Sequence, residues 1–234
     1  MRLLLAAVLG LASTVATAAP RPAEVAVLST LHRLHAQVPA YTQEVLAESI
    51  RRLDADVLCI EVNPDKYAQR APESTKVEYP ETIYPLIDAG HYKVYPMEPE
   101  NPLYDQIGGA YMASFQAFAS GQPEASAAFS AYGQAIYAAL RHYWTSPARV
   151  NDAVTDQQLR AKHALQEGMV GEGERAGWQA WNRHFLEVVV RAAAENPGKR
   201  IVVLVGAEHG YWLREHLAAQ PNLRLLDTAA LLAD

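Results

Sequence analysis

The chain has 234 residues, half of them apolar and a fifth charged, with a formal net charge of −6. That is ample core material for one domain of ordinary size. No Lys/Arg cluster follows a phosphate backbone, which argues against nucleic acid as a partner, and the single cysteine, Cys59, rules out an internal disulfide.

In chain order, Arg2, the apolar run Leu3 to Leu11 and the small residues Ala16-Thr17-Ala18 read as a secretory leader over residues 1–18, cleaved there or one residue later. The run is shorter than the about 20 residues of a spanning helix. The expectation is therefore a periplasmic or secreted protein with no membrane span once the leader is removed. Val25 to Leu28 reads as a first strand. Tyr41 to Leu53 has helical spacing, with Val45, Leu46, Ile50 and Leu53 on one face. Val57 to Val62 is apolar without alternation, as a parallel strand covered on both faces should be; Cys59 falls inside it and reads as buried and inert. Pro80 to Ala89 predicts a short helix ending at Gly90. Lys93-Val94-Tyr95 is a weaker strand.

From Tyr104 to Leu165 the chain is rich in alanine and has no strand signal. Tyr111, Phe115 and Phe118 share one helical face; Phe129, Tyr132, Ile136, Leu140 and Tyr143 share another. These stripes read as helix–helix packing. A third helix is expected from Asp152 to Glu167. Gly168, Gly171 and Gly173 form a joint, and a helix resumes from about Trp178 to Ala194. Arg200 to Val205 is the clearest strand of all. A helix over Tyr211 to Ala219, a strand over Leu223 to Leu226 and a terminal helical turn complete the order. This order predicts an α/β fold, a mostly parallel sheet flanked by helices, with an α-helical insertion at about residues 104–175 in the middle of the chain.

Open parallel sheets bind ligands beyond the carboxyl ends of their strands. The predicted strands deliver Ser29-Thr30-Leu31-His32, Ile60-Glu61, Met97-Glu98 and Gly206-Ala207-Glu208-His209 to that edge. Two imidazoles and a carboxylate suit a divalent ion, Zn, Mn, Fe or Co. Each residue alone could be an ordinary polar strand end; their convergence points to a site. His35 could join if its stretch is helical. His91, His142, His163, His184 and His216 read as surface or packing residues, and Trp178, Trp181 and Trp212 as core. Tyr79 to Pro85 either walls the pocket or simply starts a helix. No nucleophile elbow, phosphate-binding glycine loop, dinucleotide fingerprint or His-Glu-x-x-His helix is present.

The chain resembles the TIKI/TraB superfamily, which includes TraB- and PrgY-like, ChaN-like and erythromycin esterase-like proteins. Gly206-Ala207-Glu208-His209 matches its second Gly-x-x-His motif and Asp56 to Glu61 its Glu motif, while Asn182-Arg183 falls at its helical Arg position. The first motif carries Ser29 in place of Gly. The likeness covers the two ends of the chain and leaves the helical insertion aside. It implies a metal-dependent, peptidase- or esterase-like hydrolase acting on a small-molecule or peptide substrate. His32 and His209 would hold the metal, Glu61 would be a third ligand or general base, and Arg183 would bind a substrate carboxylate or an oxyanion. Ser29, Glu98 and Glu208 would support the shell or contact substrate. Two other readings stay open: a non-enzymatic protein binding haem, iron or another small molecule, with Tyr111 and Tyr132 conceivable in the lining, and a scaffold without activity. Oligomeric state is not legible.

Overall fold

Val25 to Leu28, Val57 to Ile60 and Ile201 to Val205 contain no charged or hydroxyl side chain, so a sheet built from them must be covered twice. The computed structural model describes residues 21–71 and 75–233, and the leader read at residues 1–18 lies outside them. Five strands, β1 (Ala23–Thr30), β2 (Val57–Ile60), β3 (Lys93–Pro96), β4 (Arg200–Gly206) and β5 (Leu223–Leu225), form one parallel sheet in the order β3-β2-β4-β1-β5. All five expected strands are present. The weaker third strand lies at an edge, where Lys93 is exposed and Val94 half-buried, whereas β4 is buried from Ile201 to Gly206.

Side-chain alternation divides the core into two layers. Ala26, Leu28, Leu58, Ile60, Val202 and Leu204 pack under Ile50, Tyr79 and Trp144. Val25, Val27, Cys59, Ile201, Val203 and Val205 pack under Phe185, Val189 and Leu213. Each fully buried Val, Leu or Ile contributes about 1.5–3 kcal/mol, so these layers carry the fold without a crosslink.

Ten α-helices surround the sheet among the described residues: α1 (Gln43–Arg52), α2 (Pro64–Gln69), α3 (Tyr84–Ala89), α4 (Leu103–Gly121), α5 (Pro123–Tyr143), α6 (Pro147–Val150), α7 (Ala153–Val170), α8 (Glu172–Glu195), α9 (Ala207–Ala218) and α10 (Thr228–Leu232). Local chemistry sets several starts. Thr42 caps α1 through the Val45 amide, and Asp152 caps α7 through the amides of Val154 and Thr155. A π-helical turn, Tyr79–Ile83, precedes α3. The expected three-glycine joint is one residue wide. Only Gly171 breaks the helix, at φ +98°, a conformation that favours glycine. Gly168 continues α7, and Gly173 lies inside α8 against Ser114. The last long helix begins at Ala207, directly after β4, four residues earlier than its apolar spacing suggests.

Arg214 on α9 binds these parts together. It donates to the Val27 carbonyl (3.1 Å), Ser29 Oγ (3.0 Å), Asn151 Oδ1 (2.7 Å) and Asp156 Oδ1 (2.5 Å). Gly210 makes room for it, since a Cβ there would stand 2.7 Å from Ser29 Oγ and 2.8 Å from Arg214 Nη1. Arg214→Ala leaves the Asp156 carboxylate and the Ser29 hydroxyl without this partner in a largely buried place. A loss of about 3 kcal/mol in urea unfolding is expected; a loss near zero would show that the cluster contributes nothing.

Candidate functional site

The three central strands, β2, β4 and β1, lie in register, so their carboxyl ends stop together: Thr30 stands beside Gly206 and Ile60 beside Leu204. The chain after each strand delivers one polar group to this edge.

His32 follows β1 in a left-handed conformation, φ +51°. For a residue with a Cβ this costs about 1–2 kcal/mol, so the surrounding turn must hold it. His35 does so. Its Nε2 accepts from the Leu31 amide at 3.0 Å and its Nδ1 donates to the Tyr41 carbonyl at 2.7 Å, while the Tyr41 hydroxyl donates to the Ser29 carbonyl at 2.9 Å. His35 is therefore a buried brace rather than a member of the site. Ser29, buried and tied to Arg214 and Asn151, braces the same turn.

Glu61 follows β2 and is buried. Tyr79 pins its backbone: the hydroxyl accepts from the Glu61 amide and donates to the Leu204 carbonyl, both at 3.0 Å. Its carboxylate accepts from the Gly206 amide at 2.5 Å and stands 3.2 Å from Lys76 Nζ and 4.0 Å from His32 Nε2. Burial alone would push this carboxyl up; the charges of Lys76 and His32 and the Gly206 amide outweigh it and bring it down to about 2. Lys76 also bonds Glu98, which is buried rather than solvated. Gly206 must be glycine, because a Cβ would lie 2.6 Å from His32 Nε2 and 3.4 Å from Glu61 Oε2.

Both imidazoles are oriented from behind. Buried Glu78 accepts from His32 Nδ1 at 2.7 Å. Burial lowers the His32 pKa, but this bond and the Glu61 charge outweigh it and raise it above 6.5. On α8, Asn182 donates through Nδ2 to the Trp178 carbonyl, which turns its Oδ1 toward His209 Nδ1 at 2.8 Å. His209 stacks on Trp178 with centroids 4.6 Å apart, and burial pushes its pKa down to about 4. His32 Nε2 is left facing Glu61, and His209 lines the same cavity as that carboxylate.

The structure thus brings His32, Glu61, Glu98 and His209 to one edge. It does not bring Arg183, which is exposed one helical step from Asn182 and makes no ion pair with Glu187 among the described residues. Glu208 does not line the cavity on this edge. It is held by Lys162 (2.6 Å), His163 and Tyr137, all from the helical insertion. Lys76 and Glu78 carry no strand-end signal, since α2 separates them from β2, and Asn182 enters the sequence reading only as the neighbour of Arg183.

A cavity of about 320 Å³ opens on this edge, with Glu61, Lys76, Glu98 and His209 as its floor and Ile107, Tyr111, Met112, Trp178 and Trp181 among its walls. Tyr111 of the expected packing stripe lines it; Tyr132 does not. The segment Tyr79 to Pro85 does not wall it either, since Tyr79, Ile83 and Tyr84 are buried in the core.

The donor chemistry fits a divalent ion: two imidazoles anchored through Nδ1 and a carboxylate between them. Their present spacing is wider than a closed shell. His32 Nε2 and Glu61 Oε1 are 4.0 Å apart, against about 3.3 Å between two ligands of a tetrahedral zinc. Among the described residues no three His, Cys, Asp or Glu side chains stand as a ready metal group. The ammonium of Lys76 supplies positive charge at Glu61 instead. No protein-family model, curated protein or solved structure matches the chain.

The His35 brace works only when neutral, because a protonated Nε2 would face the Leu31 N–H. Burial holds its folded pKa below the ordinary 6.5, outweighing the Tyr41 carbonyl and the Glu78 charge. The folded chain therefore binds this proton less tightly than the unfolded one. The stability it contributes is complete above pH 6.5 and lost as pH falls below that value. Melting temperature followed downward from pH 6.5 should fall less steeply in His35→Gln than in the wild type; identical slopes would remove His35 from this role.

Proposed function

We propose that the protein is a metal-dependent hydrolase of ester or peptide bonds, working in the periplasm or outside the cell where its leader would send it. One observation carries the reading. His32 and His209 each spend Nδ1 on an outer acceptor, Glu78 and Asn182; His32 Nε2 stands 4.0 Å from Glu61, and His209 lines the same cavity as Glu61. Imidazoles that bind metal are anchored in this way.

His32, His209 and Glu61 would hold the ion. When bound, it supplies Lewis acidity that activates water and polarises a carbonyl. The chain's own groups do the rest. Glu61, a carboxylate brought down to about 2, is too weak a base to take a proton efficiently near neutral pH; this favours the ligand role over the general-base role. Lys76, held between Glu61 and Glu98, takes the electrostatic part first given to Arg183: it keeps positive charge beside the carbonyl under attack. Glu78 and Asn182 keep both rings from turning. The apolar walls would lower the polarity around this charged floor. That cavity also favours the second reading, a small-molecule or haem binding protein using the same space without chemistry.

Elemental analysis of the dialysed protein should find about one divalent ion per chain, retained by the wild type and lost by both His32→Ala and His209→Ala. Gly206→Ala, which drives a methyl against His32 Nε2, should lose it as well while keeping its circular dichroism. Absence of metal after incubation with Zn, Mn, Fe or Co would overturn the metal site and leave the binding reading.

A further inference from the structure

The charged side chains of the cavity at the strand ends all belong to its floor. Its walls carry no charge: Ile107, Tyr111 and Met112 come from α4, Trp178 and Trp181 from α8. A charged group lying between these helices would lose its water and meet no opposite charge there. Trp178 offers little more than its edge, because His163 stacks on one side at 3.9 Å and His209 at 4.6 Å.

Two glycines lie in these walls for different reasons. Gly177 on α8 is required by packing, since a Cβ would meet Tyr111 Cβ at 2.9 Å. Gly108 on α4 is not: a Cβ there meets nothing within 4 Å. Glycine inside a helix weakens it, and no neighbour asks for this one. What its missing side chain leaves open is part of the cavity that ends at Glu61 and His209.

We propose that the slot between α4 and α8 takes one apolar arm of the substrate, an aromatic ring or a branched acyl chain, next to an ester or amide carbonyl set against the Glu61–His209 floor, and that Gly108 fixes how large that arm can be. This rests on the hydrolytic reading for the carbonyl and on the slot alone for the arm. The volume, about 320 Å³, lies at the small end of ligand cavities, roughly 300–1,000 Å³, so the slot suits a single arm and not a polymer.

The test uses the purified protein, N-(1-naphthyl)acetamide as an uncharged amide probe, and acetamide as the same group without an arm. Binding is read from the fluorescence of Trp178 and Trp181. The naphthyl amide should quench saturably and acetamide should not displace it. Gly108→Leu should weaken the naphthyl amide by about tenfold or more while melting no lower than the wild type. No saturable quenching in the wild type, or binding by Gly108→Leu within about twofold of it, overturns the slot. Hydrolysis of 1-naphthyl acetate by the metal-loaded protein separates the two readings. Saturable binding of the amide without any turnover of the ester defeats the hydrolase and leaves the slot standing. Turnover with kcat/KM unchanged in Gly108→Leu defeats the slot and leaves the hydrolase.

Discussion

A carboxylate buried at the end of a central strand must be answered by charge or hydrogen bonds, or it will protonate. Glu61 is answered from three separate stretches of chain. The Gly206 amide arrives from β4, the Lys76 ammonium from the segment after β2, and the His32 imidazole from the turn after β1. Each partner has its own support, Glu98 behind Lys76 and Glu78 behind His32. The left-handed turn at His32, the missing Cβ at Gly206 and the Tyr79 hydroxyl between β2 and β4 all serve to bring these groups within reach.

Much of the frame was legible because strand signals here are strong. Unbroken runs such as Ile201 to Val205 have no other comfortable home than a sheet covered on both faces. The ends of those runs pointed to His32, Glu61 and His209, since the strand-end rule depends only on knowing where strands stop. The supporting groups were less legible for physical reasons. Asn182 and Arg183 are neighbours in sequence, yet about 100° apart around a helix of 3.6 residues per turn. The sheet selects the face bearing Trp178, Asn182, Phe185 and Val189, and Arg183 is left in water. Lys76 and Glu78 follow a short helix and carry no periodicity of their own, so only tertiary structure shows that they turn inward.

The glycines teach a related lesson. Gly206 and Gly210 flank a histidine in one short motif, and both are glycine because of what approaches them: His32 with Glu61 in one case, Ser29 with Arg214 in the other. A motif read along the chain thus encodes contacts made by residues far away in sequence. Ser29 reads the same way, as a hydroxyl engaged by Arg214 at the base of the turn that presents His32.

The helical insertion carries no recognisable motif, yet α4 supplies one wall of the cavity, and α5 and α7 clasp Glu208 beside His209. The frame and the insertion thus contribute different parts: the strand ends present the polar floor of the cavity, and an inserted helix supplies part of its apolar wall. Descendants of such a chain could exchange α4 residues such as Gly108 or Met112 and reshape the cavity while leaving its polar floor intact. The clasp on Glu208 sets the limit of that freedom, because a lineage that rebuilt α5 or α7 would also have to find new partners for a half-buried carboxylate one residue from His209.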